Sequence, residues 1–150
     1  MPERPIDEGL EASTNRWMMA GLILMVLFVV AFPLYRYFEP ANRDEARAEH
    51  LVSLAEHGES LFVITCAPCH GDQGLGGIAP ALNSQQFLTA ANDSQISSLI
   101  EVGVPGTAMA AWSLDYGGPL TLEDVNAITT YLRSLEETAP DNPDWLNPLG

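Results

Sequence analysis

Cys66-Ala67-Pro68-Cys69-His70 is the most chemically loaded stretch of the chain, since it holds both of the cysteines and one of the three histidines. Three kinds of chemistry use such a grouping: a disulfide or redox dithiol, part of a zinc site, or covalent attachment of a haem. Structural zinc asks for four tetrahedral ligands, and the chain has no second paired knuckle to supply them. A redox dithiol belongs in a thioredoxin-like βαβ setting, which the flanking residues do not provide. A plain disulfide leaves the adjacent histidine without a role. The haem-attachment signature uses all three residues. Two sulfurs at this spacing on a helix-like turn meet the two vinyl groups of one porphyrin edge, and the next histidine turns its imidazole to the iron.

An iron held by His70 on one side needs a donor on the other. Met109 is the thioether available outside the first 25 residues, because Met1, Met18, Met19 and Met25 fall in a polar arm and an apolar run near the start. By type alone a methionine is core filler as readily as ligand. His50 and His57 are the competing donors; both lie on the first helix of the globular part and read as exposed helical histidines.

The elements that must position these groups follow from periodicity and caps. From Trp17 to Tyr35, nineteen residues pass without a charge. At about 1.5 Å per residue that is helix enough to match the roughly 30 Å bilayer core. Trp17, Tyr35 and Tyr37 suit the two interfaces, and Arg16 and Arg36 can snorkel outward. A buried soluble helix of this length would carry a polar face. The run is read as a retained anchor: the small-x-small "ARA" at Ala46–Ala48 lies well past it, and it exceeds the core of a signal peptide. The expected organisation is a cytoplasmic arm (1–16), a transmembrane anchor (17–38), a charged linker (39–47), a globular domain (48–138) and a proline-rich tail (139–150). The fold class is all-α, with one N-terminal transmembrane helix ahead of the globular part.

Within the globular part a first helix is expected from about Arg43 to Ile64. Gly58 interrupts its pattern at a cost of about 1 kcal/mol against alanine, which points to a close approach of another backbone. Two short helices are expected at about Ser84–Ala90 and Asp93–Val102, the latter stopped by Gly103. A last helix opens at Thr121 as N-cap, with Glu123 and Asp124 in its first turn and Val125, Ile128, Leu132 and Leu135 on one stripe. The tail carries Trp145 and Leu146 outside any helical pattern, so it is expected to fray or, if ordered, to lie on a partner subunit.

The segments "HGESLFVITCAPCHGDQGLGGIAPAL", "LIEVGVPGTAMAAW" and "GPLTLEDVNAITTYL" together resemble a small class I cytochrome c domain of the membrane-anchored bacterial kind, over residues 50 to 138. The resemblance implies helices wrapped around one covalent haem c held through Cys66 and Cys69. It further implies His70 and Met109 as axial ligands, and first and last helices crossing at Gly58 and Phe62 against Tyr131. It also implies that the Pro80 carbonyl holds the other ring nitrogen of His70, that Leu82 packs on the porphyrin, and that Trp112 lies near a propionate. Pro105-Gly106 would form the turn presenting Met109. The chain departs from the family at Ala110, where proline commonly follows the methionine, which implies a less rigid loop.

Function follows from that ligand set. Histidine and methionine together leave no open position on the iron, and methionine raises the reduction potential, so the expected activity is one-electron transfer without catalysis. From Ala48 onward there are thirteen acids and one base, Arg133, and the chain has no lysine. Such a surface repels nucleic acid and favours a basic redox partner. The expected setting is a subunit of a respiratory or photosynthetic complex, a quinol oxidoreductase such as alternative complex III or a terminal oxidase. A tethered shuttle between complexes is one alternative, and a haem sensor or peroxidase-like enzyme is another. The resemblance implies that residues 39–150, with the haem domain, face the periplasmic or extracellular side of the cytoplasmic membrane. The arginines, two before the apolar run and three after it, do not by themselves support that orientation.

Overall fold

The structure, a computed structural model, describes residues 8–147. The first seven residues of the expected arm and the last three of the tail lie outside the described residues. Contacts divide the chain into two units, 1–47 and 48–150.

The described residues of the first unit are helical and belong to α1 (Glu8–Thr65). Every large apolar side chain from Trp17 to Phe38 is more than half exposed, and the apolar window has a mean hydropathy of 2.5 with none of it buried. A core helix of a soluble domain would be covered by its own chain, whereas this one is long and apolar enough to cross a membrane. The protein is a single-pass membrane protein.

The expected linker, 39–47, is helical, as are residues 8–16 of the arm. Pro33 and Pro40 each remove one backbone donor, which in isolation costs about 3 kcal/mol within a helix. Beside Pro40, side chains stitch consecutive turns together: the Tyr35 hydroxyl donates to Glu39 at 2.9 Å, and Arg43 donates to Glu39 at 2.5 Å. Charge alone does not break a helix when oppositely charged side chains fall four residues apart.

The second unit is all-α. The last turns of α1 pack against α5 (Leu122–Ser134), with α2 (Ala67–His70), α3 (Gln85–Ala90) and α4 (Asp93–Val102) between them in sequence. A Cβ on Gly58 would sit 2.0 Å from the Ala127 carbonyl oxygen, so glycine is what lets α1 touch α5. One turn later Phe62 meets Tyr131, ring centroids 5.4 Å apart. These are the crossing residues that the resemblance implied. Phe62, Val125, Ile128 and Leu132 are essentially inaccessible and form the middle of the core, with Leu88 and Ile96 from α3 and α4.

Caps fix the helix ends where local sequence placed them. The Ser84 hydroxyl accepts from Phe87 N–H at α3, and Asn92 with Gln95 forms a capping box at α4. Thr121 with Asp124 forms another at α5. Arg133, the one base after Ala48, donates to the Leu88 and Ala91 carbonyls and pairs with Asp93 at 2.5 Å and Glu136 at 3.2 Å. It ties the α3–α4 corner to α5. His57, read as a merely exposed histidine, instead meets Asp124 at 3.1 Å and joins α1 to the start of α5. His50 is exposed.

The tail departs from expectation. Its described residues lie on the domain itself: Trp145 packs on Phe87 at 5.2 Å, and the Pro140 and Trp145 carbonyls accept the Gln85 and Ala81 N–H groups at 3.0 and 2.8 Å. Those two donors have no helical partner of their own, and the segment that crosses them supplies the carbonyls, Pro140 from a stretch without regular structure and Trp145 from a turn.

Candidate functional site

Cys66 ends α1 and caps α2, a single turn that opens with Pro68 near its start and closes at His70. Both cysteines are free thiols. Cys66 is half-buried at the foot of the core, where burial pushes its thiol pKa up, opposed by the Thr65 hydroxyl 3.3 Å from its sulfur. A neutral thiol is a poor nucleophile for disulfide exchange. Cys69 is exposed.

The half-buried His70 is oriented by one bond. Its Nδ1 lies 2.8 Å from the Pro80 carbonyl oxygen. A carbonyl can only accept, so Nδ1 carries a proton, and in the neutral ring the lone pair is then on Nε2. This is the tautomer that a metal-binding imidazole needs.

Met109 arrives from a loop built for close backbone contact. Gly103 ends α4 with φ +74°, and a Cβ there would overlap the Met109 carbonyl oxygen at 2.6 Å. Thr107 N–H donates to the Val104 carbonyl at 3.1 Å across Pro105-Gly106, and Gly106 has φ +80° as the third residue of such a turn. The Val104 N–H donates back to the Met109 carbonyl at 2.9 Å, and the Thr107 hydroxyl accepts the Met109 N–H at 3.2 Å. The loop on the N-terminal side of Ala110 is thus held by bonds among Val104, Thr107 and Met109.

Two adjoining apolar cavities receive these groups. One, of about 140 Å³, is lined by Cys66, Cys69, His70, Met109 and Trp112 over a floor of Phe62 and Ile128. The other, of about 480 Å³, shares His70, Leu82 and Met109 and adds Pro80. The structure thus gathers the seven predicted site residues around these two adjoining cavities, while His50 and His57 line neither. A wider groove of about 820 Å³ between residues 51–59 and 129–135 includes none of them.

Sequence reasoning missed Ile78 and Ile100 in the walls and, above all, Trp145 and Leu146, which close the larger cavity. The signal for the last two was a pair of large apolar residues in a segment with no helix to bury them.

The donor set fits a porphyrin. Two thiols, an imidazole and a thioether line the smaller cavity, and most of the remaining wall residues are apolar. Among the described residues no group of three His, Cys, Asp or Glu side chains is placed to hold a metal ion.

A family described as "Cytochrome C oxidase, cbb3-type, subunit III" matches residues 53–132. The cbb3-type cytochrome c oxidase subunit FixP of Azorhizobium caulinodans is 33% identical over 106 residues, covering 67% of this chain and 36% of that protein. FixP of Bradyrhizobium diazoefficiens is 33% identical over 84 residues, covering 54% of this chain and 27% of its own length. A cytochrome c-553-like protein of Synechocystis is 34% identical over 64 residues, covering 43% and 58%. Among solved structures, cytochrome CL of Methylophaga aminisulfidivorans matches with a TM-score of 0.47 and 28% identity over 55% of this chain and 53% of its own. The chain spans about a third of the length of the oxidase subunits it matches.

Proposed function

The chain belongs to the cbb3-type cytochrome c oxidase subunit III family, as a membrane-anchored mono-haem class I cytochrome c, and we propose that it relays single electrons within a membrane oxidoreductase. The haem c of this family is covalent. Cys66 and Cys69 would carry its thioether links, and His70 Nε2 and the Met109 sulfur would be its axial donors. Bound there, the group supplies a one-electron couple whose potential depends on its ligands and on its burial.

The chain's own residues do the rest. The Pro80 carbonyl holds the His70 ring in one tautomer and orientation, and the Gly103–Ala110 loop holds Met109 against the same hollow. Leu82, Ile100, Ile128 and Leu132 keep the hollow apolar, so that little reorganises when charge changes. Trp112 lines the smaller cavity and is read as the neighbour of a propionate.

The relatives' names place them in a terminal oxidase. We read this chain as a tethered, non-catalytic subunit of such an oxidase or of a quinol oxidoreductase. Its haem domain would lie on the periplasmic or extracellular side, and its N-terminus in the cytoplasm. A net charge of −12 after residue 47 favours a basic docking face on the partner.

The observation that carries the reading is the convergence of two free thiols, a tautomer-fixed imidazole and a thioether on one apolar hollow. A mass spectrum of the mature protein should show one added haem. Met109→Ala should abolish the far-red sulfur–iron absorption and lower the midpoint potential. A parent without the added mass, or an unchanged spectrum and potential in the variant, defeats the reading. Gel filtration of the solubilised protein decides between subunit and shuttle, since a subunit elutes with fixed partners. Ready carbon monoxide binding by the reduced parent would favour a sensor or peroxidase instead.

A further inference from the structure

Beyond Ala139 the chain turns back across α3 rather than leaving the domain. The Gln86 side chain grips it twice, donating to the Asp141 carboxylate and accepting the Asn142 N–H at 2.9 Å. Farther along, the Trp145 carbonyl accepts the Ala81 N–H at 2.8 Å. That N–H and the Pro80 carbonyl are the two ends of a single peptide group, and the carbonyl end is what holds His70 Nδ1 at 2.8 Å. A planar peptide bonded at both ends has lost its freedom to tilt. Each bond in such a chain also strengthens the next, by roughly 10–30%.

The Trp145 side chain acts on the same hollow from a second direction. Its ring lies on Phe87 at 5.2 Å and 44°, and with Leu146 it walls the larger cavity beside His70, Pro80 and Met109. Without that ring the wall between Phe87 and Pro80 opens to water. Solvent access and hydrogen bonding behind the imidazole are two of the levers that set the potential of such a centre.

We propose that residues 139–146 are a strap that tunes the redox centre: the Trp145 carbonyl fixes the peptide behind His70, and the Trp145 ring excludes water from the cavity. The proposal rests on the reading that a haem fills that cavity. Trp145 is a positioning residue, acting through the Pro80–Ala81 peptide and through exclusion of solvent.

Trp145→Ala in the full-length membrane protein tests it, with Trp145→Phe as the conservative partner. Removing the ring admits water, which favours the more charged oxidised state. The reduction equilibrium should therefore shift toward oxidation about tenfold, or about 59 mV for one electron. Trp145→Phe should restore most of that shift. A residue that only props up the fold would lower the melting temperature and leave the potential where it was, and a haem-bearing Trp145→Ala protein with the parent's potential overturns the strap. If that variant does not accumulate, amide hydrogen exchange on the haem-loaded parent decides. Slow exchange at the Ala81 N–H supports the strap, and exchange at the free-chain rate overturns it. A parent with no haem mass refutes the electron-transfer reading instead, so the two failures are told apart.

Discussion

Replacing Gly58 by alanine probes the contact on which the domain closes. On an isolated helix the change would stabilise by about 1 kcal/mol. Here the new methyl would stand 2.0 Å from the Ala127 carbonyl oxygen, 2.4 Å from its carbon and 2.9 Å from Ile128 N, where ordinary contact begins at 3.4 Å. All three obstacles are backbone atoms of α5, so no rotamer change relieves the overlap. The two helices must part by more than an ångström, which loosens Phe62 from Tyr131 beside them. Overpacking of this kind costs about 3 kcal/mol, at the upper end of its usual range. After the helix-propensity gain a net loss of about 2 kcal/mol remains, or roughly 10 °C of melting temperature for a domain of about 100 residues. Thermal melts of the detergent-solubilised, haem-loaded protein, followed by circular dichroism, measure it directly. Gly21→Ala is the control, because its methyl would meet nothing within 4 Å, so it should not lower the melting temperature. A Gly58→Ala protein as stable as the parent would show that α1 and α5 do not touch as described.

Other consequences are open to the same kind of measurement. Thr121→Ala removes the N-cap of α5 and should cost about 1 kcal/mol in denaturant unfolding. Arg133→Ala leaves the Leu88 and Ala91 carbonyls without their donor and should cost about 2 kcal/mol. Lysine at that position should recover only part, because a single ammonium cannot reproduce the planar fork. The Asp124 carboxyl is held below its ordinary pKa by the Thr121 hydroxyl first, then by the Thr121 N–H and His57. Since the folded value lies below the unfolded one, this stabilisation is full above about pH 4 and is lost as pH falls through the folded value. Asp124→Asn should therefore flatten the acid limb of a melting-temperature profile, and an acid limb parallel to the parent's would contradict the assignment. Thr107→Val removes the hydroxyl that bonds both Val104 O and Met109 N, and the reduced protein should then take up carbon monoxide faster than the parent.

Much of the fold was legible because its signals are local. Ser84, Asn92 and Thr121 cap their helices through donors three residues ahead, and Gly103 stops α4 with the positive φ that suits glycine. Gly58 was legible for a subtler reason: a glycine inside a good helical pattern needs a tertiary excuse, and Ala127 supplies it. The segment 39–47 misled because charges and a proline look like a linker, whereas Glu39 pairs with Tyr35 and Arg43 one turn away on either side.

The sequence by itself determined the covalent grouping Cys66–His70, the nineteen-residue apolar run, the acidic surface and the order of the helices, since each depends on neighbours along the chain. Only the tertiary structure decided that His57 grips Asp124, that Met109 faces the hollow that His70 lines, and that the Trp145 carbonyl reaches the Ala81 N–H. Those pairs are separated by dozens of residues, and no periodicity or cap signal links them. They form where α1 and α5 close on each other and leave unpaired donors and apolar walls for whatever segment passes next.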